Sequence, residues 1–203
     1  MSCQMRRGFG ALASLLVVQA VPLQLVITPR QLTTGGAIFG LGDVVAQQIE
    51  RPSGGLKIET RRLAVSAVLG TAYGGCFLPL TYQLAEALFP GRTLQNVVLK
   101  VCVSCGILST AGNYFSMFCR RLCSSGDFPS DLSERVAAVC ASVNADYPSV
   151  LRHDLSLWPA YDLLCFSVCP VALRATVTAF VSVCWQTYVS VVANQAARAA
   201  KMV

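Results

Sequence analysis

Residues 33–50, TTGGAIFGLGDVVAQQIE, decide the architecture of this chain. Small or polar residues recur there at intervals of three or four positions: Thr33, Gly36, Gly40, Asp43, Gln47 and Glu50. This spacing places them all on one face of a helix. Gly36 and Gly40 would let another helix approach closely, and Asp43 and Gln47 need polar partners if the helix lies in lipid. The stretch therefore predicts an intramembrane interface that contains an ionisable group.

The composition is that of an integral membrane protein. Of 203 residues, 54% are hydrophobic and 13% are charged, against roughly a quarter charged in soluble domains. The net charge of +6 comes largely from arginine pairs beside apolar runs, which favours anchoring to lipid headgroups over direct nucleic-acid binding. The lipid bilayer is the expected partner, with a second copy or other membrane proteins as further possibilities.

Apolar segments predict an all-α, polytopic bundle of about four transmembrane helices, since a span needs about 20 apolar residues. The segments are 31–49, 63–89, 97–118 and 155–194, the last divided at Cys169-Pro170. Between the third and fourth lies a polar region whose pattern predicts an interfacial helix, which begins at Asp131 and ends at Tyr147-Pro148. No linker divides the chain, so residues 1–203 form a single membrane domain with its bundle over 31–195.

Residues 1–30 form an apolar N-terminal segment of open assignment. Phe9 to Thr28 carries no charge and suits an extra span, an interfacial helix or a targeting segment equally. The first acidic residue of the chain is Asp43, and arginines precede it, which is typical of mitochondrial import signals.

Charged groups at membrane depth are the first candidates for function, because each costs at least ~2.5 kcal/mol at a helix centre unless it is paired or hydrated. The pore-lining candidates are Asp43, Gln47, Lys100, Asp162 and Arg174. We expect them to face a common polar path between helices. For Lys100 a structural role near the membrane edge is favoured, and for Asp43 and Arg174 a pore-lining role is favoured.

The second apolar segment repeats the glycine pattern of the first. Gly70-x-x-x-Gly74 matches Gly36-x-x-x-Gly40, and such pairs are typical of closely packed membrane helices. We therefore expect the first two helices to pack against each other through these glycines.

Ten cysteines and one histidine do not form a convincing metal site, and buried cysteine in apolar helices explains most of them. Cys119 and Cys123 are redox candidates, because they lie beside Arg120 and Arg121, whose positive charge favours a lowered thiol pKa. The motifs of nucleophilic hydrolases, P-loop proteins and zinc proteases are absent. The sequence therefore predicts no enzyme, no catalytic residue, no metal and no cofactor.

Several short motifs resemble the Mpv-seventeen and peroxisomal-membrane-protein-twenty-two family of small organelle membrane proteins. They are Gly42-Asp43 with Gln47-Gln48, Gly75, Tyr82, Phe89-Pro90-Gly91, Asp146-Tyr147-Pro148, Leu157-Trp158-Pro159, Phe166, Pro170, Arg174, Trp185, Tyr188 and Ser190. The resemblance covers roughly residues 28–190. Departures from the family pattern, at Cys76, Thr81, Ser104-Cys105, Asp162 and Cys165, mark a divergent member.

The resemblance implies a four-span protein of the mitochondrial inner membrane or the peroxisomal membrane, with channel-like or metabolite-passing behaviour. The leading hypothesis is a weakly selective channel of the mitochondrial inner membrane that contributes to mitochondrial homeostasis. The alternatives are a peroxisomal membrane pore and a non-conducting scaffold whose glycine faces recruit other membrane proteins.

Overall fold

The computed structural model describes residues 27–50, 58–123, 131–169 and 171–199, without the side chains of 171–176 and 195–199. The helices are α1 (Pro29–Ile49), α2 (Thr60–Leu88), α3 (Leu94–Leu122), α4 (Leu132–Val168) and α5 (Val171–Ala199). These ranges contain no strand, and the all-α membrane bundle is confirmed. Most of the apolar N-terminal segment predicted over 1–30 lies outside the described residues.

Three stretches among the described residues are long and apolar enough to cross a membrane: α2, α3 and Val177–Asn194 of α5. The first predicted span, α1, is a helix of 21 residues whose polar stripe lowers its hydropathy. It packs against α2 and α5. The stripe thus faces protein and not lipid over most of its length.

Helix α1 begins where the sequence supplies a complete N-terminal cap. The Thr28 side chain accepts from the backbone N–H of Gln31 at 3.3 Å, and the Gln31 side chain accepts from the N–H of Thr28 at 2.8 Å. Pro29 occupies the first turn, where no N–H is needed. Reciprocal capping of this kind fixes the start of the helix.

Helices α2 and α3 each contain a π-helical segment, Tyr73–Phe77 and Cys105–Gly112. The first segment comes just before Pro79, whose ring would clash with the preceding turn of a regular helix. The Tyr73 hydroxyl donates to the carbonyl of Leu108 at 3.4 Å. The two π segments therefore lie against each other.

Helix α4 begins as predicted but runs much further than predicted. The Asp131 side chain caps it by accepting from the N–H groups of Ser133 and Glu134, at 2.9 and 3.1 Å. The predicted end at Tyr147-Pro148 is wrong, because Pro148 and Pro159 both lie inside the helix. Each proline removes a single backbone donor, and packing on both sides of Pro148 holds the helix together.

That packing places the segment predicted to be interfacial within the bundle. Val139, Val143 and Val150 of α4 are fully buried, in one cluster with Met117 of α3 and Val189 of α5. At the other end, α4 stops at Val168 and α5 starts at Val171. The predicted division at Cys169-Pro170 is therefore confirmed.

Candidate functional site

Asp43 lies at the centre of a buried polar cluster. Its Oδ1 accepts from Arg62 Nε at 2.8 Å and from the Ser190 hydroxyl, and its Oδ2 accepts from Gln47 Nε2 at 2.8 Å. We call this cluster the Asp43 network; its members are Asp43, Gln47, Glu50, Arg62, Arg120 and Ser190. It joins α1, α2, α3 and α5.

Two arginines balance the two carboxylates of the network. Arg62 forms a two-pronged ion pair with Glu50, at 2.6 and 3.1 Å. Arg120 Nη1 lies 3.7 Å from Asp43 Oδ1 and donates to the Ser66 hydroxyl at 2.7 Å. Because the formal charges cancel, the network can remain in a membrane domain without an external counter-ion.

The predicted anchoring of the arginine pairs at lipid headgroups is wrong for Arg62, Arg120 and Arg121. Arg120 and Arg121 are 4% and 1% exposed, and Arg121 is ion-paired with Asp146 of α4. An arginine that anchors at lipid headgroups and an arginine buried in the bundle can both follow an apolar run, and they differ only in where the guanidinium lies. The neighbouring apolar residues therefore cannot distinguish the two cases. The signal that was present is the helical spacing of Ser109, Asn113, Ser116 and Arg120, which predicts a polar face on α3.

A small cavity borders the Asp43 network. Its volume is about 20 Å³, and its lining includes Glu59, Arg62, Ser66, Arg120 and Cys123. A cavity of this size holds roughly one water molecule. In this conformation the Asp43 network is therefore too tightly packed to pass a solute.

A second polar feature runs along the contact between α3 and α4. Three carboxylates of α4 face three polar side chains of α3: Asp146 with Arg121, Asp154 with Asn113, and Asp162 with Ser104. The Asn113 amide donates to Asp154 at 2.6 Å, and the Ser104 hydroxyl donates to Asp162 at 2.9 Å. We call these six residues the α3–α4 polar interface.

The π segment of α3 keeps the two rows of this interface aligned. On α4 the carboxylates follow one another at intervals of eight residues, whereas on α3 eight residues separate Arg121 from Asn113 and nine separate Asn113 from Ser104. Cys105–Gly112, the π-helical stretch, lies between the last two. A π segment accommodates one residue more than regular helix over the same rise, so Ser104 still faces Asp162.

The described hydrogen-bond donors to Asp154 and Asp162 are all uncharged. Both residues are 2% exposed. Asp162 also accepts from the Tyr82 hydroxyl of α2 at 3.3 Å, and Asp154 Oδ1 is buried without a hydrogen-bond partner. Sequence inspection selected Asp162 but missed Asp154, because Arg152 and His153 beside it suggested a polar connector.

Lys100 has no described hydrogen bond or ion pair with a member of either polar feature. Its ammonium group donates to Glu86 at 2.5 Å and to the carbonyl of Gly91 at 2.8 Å. Gly91 has a φ of +89°, in the region that favours glycine, and lies in the connection between α2 and α3. Lys100 therefore stabilises this connection. The side chain of Arg174 lies outside the described part of the structure.

Of the five pore-lining candidates, the structure brings together Asp43 and Gln47. Asp162 lies at the α3–α4 polar interface and Lys100 at the α2–α3 connection, without a described hydrogen bond or ion pair that links them to Asp43. The four candidates with described side chains therefore lie at three places in the bundle, and a pore-lining role for the five residues stays a prediction.

Glycines bring α1 and α2 into backbone contact. One of them, Gly35, was not among the glycines predicted to pack. A Cβ atom on Gly35 would lie 2.4 Å from the carbonyl oxygen of Gly70, and one on Gly74 would lie 3.1 Å from the Cα of Gly35. A Cβ atom on Gly36 would lie 2.8 Å from the Thr71 hydroxyl, whereas one on Gly40 would have no neighbour nearer than 3.5 Å. The tightest approach is therefore one residue before the predicted Gly36.

The two redox candidates differ in their surroundings. Cys119 is half-buried and packs against the cluster of Phe39, Leu69 and Tyr73. Cys123 is exposed at the small cavity beside Arg120. The described contacts of the Arg120 guanidinium are to Asp43, Ser66, Ser190, Gln186 and the Phe39 ring, so its charge is already engaged elsewhere.

Comparison with known proteins finds similarity to one family. The model of the Mpv17 / PMP22 family matches residues 133–190. The rat (Rattus norvegicus) protein named mitochondrial inner membrane protein Mpv17 is 29% identical over 165 residues, 81% of this chain and 89% of the relative. This chain is similar to the Mpv17 / PMP22 family. The resemblance inferred from the motifs is confirmed.

Further relatives match over similar lengths. The human protein named mitochondrial inner membrane protein Mpv17 is 27% identical, with 79% of this chain and 86% of the relative covered. Protein SYM1 of Mycosarcoma maydis is 26% identical, with 80% and 78% covered. No solved structure matches the chain. The relatives' names and the apolar helices place this chain in the mitochondrial inner membrane.

The region matched by the Mpv17 / PMP22 family model contains part of each polar feature. It includes the three carboxylates of the α3–α4 polar interface and also Ser190 of the Asp43 network. Trp185, one of the motif residues, is 7% exposed and donates from its indole N–H to the Asn113 side chain at 3.3 Å. This motif residue therefore orients the amide that bonds Asp154.

Proposed function

We propose that the protein passes small polar solutes across the mitochondrial inner membrane along the α3–α4 polar interface. The observation that carries this proposal is that Asp146, Asp154 and Asp162 of α4 each contact a polar side chain of α3. Sixteen residues of helix correspond to about 24 Å, most of a hydrocarbon core that is about 30 Å thick. A contact between two helices that carries polar side chains over such a length favours a route for polar species.

Exposed polar residues of α4 give this route an entrance. At one end of the row Asn144 is exposed and the Asp146 side chain is 42% exposed, whereas Asp154 is 2% exposed. Further along, Asp162 is enclosed by Tyr82 and Ser104. The interface is closed in this conformation, and passage requires α3 and α4 to separate slightly.

The Asp43 network has a supporting role in this proposal. It holds α1, α2, α3 and α5 together while α4 contributes none of its members. Helix α4 can therefore move against α3 without the network being broken. Asp43, first considered for a pore lining, is better placed to keep the other helices in position.

The scaffold alternative is weaker because the glycine faces are already occupied within the chain. Gly35 and Gly36 are covered by α2. Gly42 is covered by α5, since a Cβ atom on Gly42 would lie 2.8 Å from the Cβ of Gln186. A partner protein would have to displace these helices. We also propose that the chain is no enzyme; self-association and other membrane partners remain compatible with solute passage.

Solute efflux from liposomes tests the proposal. Purified protein is reconstituted, and the release of trapped polar solutes of increasing size is followed for the wild type and for Asp162→Leu. This variant replaces a buried carboxylate of the route with an apolar side chain. We expect release in the wild type and loss of release in the variant. Leu164→Ala is the control, since Leu164 is 63% exposed on the outer face of α4.

The outcome that contradicts the proposal is folded wild-type protein in sealed liposomes that releases no solute. Release by Asp162→Leu at the wild-type rate would also contradict it, because the route would then lie elsewhere. Circular dichroism of each reconstituted protein confirms that the helices are intact in the compared samples.

A further inference from the structure

Asp154 and Asp162 differ from every other buried carboxylate described above in having no cationic partner. Asp43 and Glu50 are paired with Arg62. For Asp154 and Asp162, no lysine or arginine side chain in the described ranges lies within ion-pair distance. Their hydrogen-bond donors are an amide and hydroxyl groups.

The described groups that face the two carboxylates come from several helices, and apart from the two carboxylates themselves none carries a charge. Around Asp162 they are Tyr82 of α2, Ser104 and Cys105 of α3, and Tyr161 and Cys165 of α4. Around Asp154 they are Tyr73 of α2, Ser109 and Asn113 of α3, and Tyr147 of α4, with Trp185 of α5 behind Asn113.

An ionised carboxylate in such surroundings is very costly. Burial of an isolated charge away from water costs far more than burial of a neutral polar group, and proteins avoid the cost by neutralising the group. One oxygen of Asp154, Oδ1, is buried and has no hydrogen-bond partner. A single bound proton removes the charge at each site without any change in the surrounding side chains.

We propose that Asp154 and Asp162 are proton-binding sites, each of which is a neutral carboxylic acid at neutral pH and exchanges its proton with water when α3 and α4 separate. The proton is taken from water on one side and released to water on the other, so no other reactant is needed. This proposal rests on the proposed route in one respect, the access of water, and it names the proton as a species that the route accepts.

Infrared spectroscopy of the reconstituted protein tests proton binding directly and needs no transport. A protonated carboxyl group has a carbonyl stretching band that is separate from the carboxylate bands and shifts in heavy water. We expect this band at neutral pH in the wild type, with part of it lost in Asp154→Asn and part in Asp162→Asn. Asp131→Asn is the control, because the exposed Asp131 is ionised and asparagine can still cap the helix.

Absence of the band from wild-type protein at neutral pH would overturn the proposal, and so would a band that both variants retain in full. If one variant fails to fold, the wild-type band and the other variant still decide the question.

Proton flux separates this inference from the proposed function. In liposomes with a trapped pH indicator and an imposed potential, we expect wild-type protein to pass protons and Asp162→Asn to lose that flux while it still releases polar solutes. Solute release without an infrared band would retain the route and reject the proton sites. A band without solute release would retain the proton sites and reject the route.

Discussion

At the residue scale, Asp43 is the point at which the helices are most strongly coupled. It accepts hydrogen bonds from α2 and α5 as well as from its own helix. Removing one member of a buried ion pair leaves its partner uncompensated, which typically costs more than the pair contributes. The stability of the bundle should therefore depend strongly on this single carboxylate.

We predict that Asp43→Asn lowers the free energy of unfolding by about 3 kcal/mol, because Arg62 and Arg120 lose a shared counter-charge. Reversible unfolding in mixed micelles, followed by circular dichroism, measures the change. Asp131→Asn is the matched control and should have little effect. An Asp43→Asn protein as stable as the wild type would show that the Asp43 network contributes no net stability.

The spacing of α1 was sufficient to select Asp43 and Gln47, but not their partners. The positions of Arg62 and Arg120 depend on how α2 and α3 rotate about their axes. That rotation is set by glycine contacts and π segments, which involve residues distant in sequence. Asp154 was missed for a related reason, since its burial comes from α3 and its chain neighbours are exposed.

At the element scale, the contact between α1 and α2 is limited by backbone atoms. Gly35 faces the Gly70 carbonyl, and a side chain there cannot be accommodated by a simple rotamer change. Gly40 has ordinary space around it. The two glycines of one helix should therefore respond differently to the same substitution.

We predict that Gly35→Ala destabilises the protein by about 1–3 kcal/mol, the usual cost of overpacking. Gly40→Ala is the control, and it should be neutral or slightly stabilising, because alanine is the better helix former. Thermal unfolding of both variants provides the comparison. Equal stability of the two variants would contradict the backbone contact at Gly35.

The start of α4 should depend on pH. Hydrogen bonds from the Ser133 side chain and from backbone N–H groups lower the pKa of Asp131. Because the folded-state pKa is below the unfolded one, the stabilisation is present above the unfolded pKa and is lost as the pH falls through the folded pKa.

We therefore predict faster amide hydrogen exchange at residues 133–135 in acid, after correction for the intrinsic pH dependence. Asp131→Ala should show fast exchange at every pH. Mass spectrometry of the corresponding peptides measures both effects. Wild-type protection that does not change with pH would exclude a capping role for the ionised carboxylate.

The two ends of α4 also show where sequence patterns succeed and fail. Asp131 and Cys169-Pro170 were recognised as boundaries because a cap and a helix-breaking proline act locally. Pro148 was mistaken for an end because its effect is overridden by the packing of Val143 and Val150 on either side of it.

At the scale of the whole molecule, one group of helices is held by the Asp43 network, and α4 contacts it through the α3–α4 polar interface and an apolar cluster around Met117. A bundle of this design can keep its fold while one helix shifts. That arrangement is what the proposed passage of polar solutes requires. It also explains why two polar features, and not one, occur within an apolar chain.

Single-channel recording in planar bilayers, with wild type and Asp162→Leu side by side, tests this account most directly. The account predicts discrete conductance events in the wild type, their loss in Asp162→Leu, and their retention in Leu164→Ala. Folded wild-type protein that gives a silent bilayer, or conductance that Asp162→Leu leaves unchanged, would contradict passage along the α3–α4 polar interface.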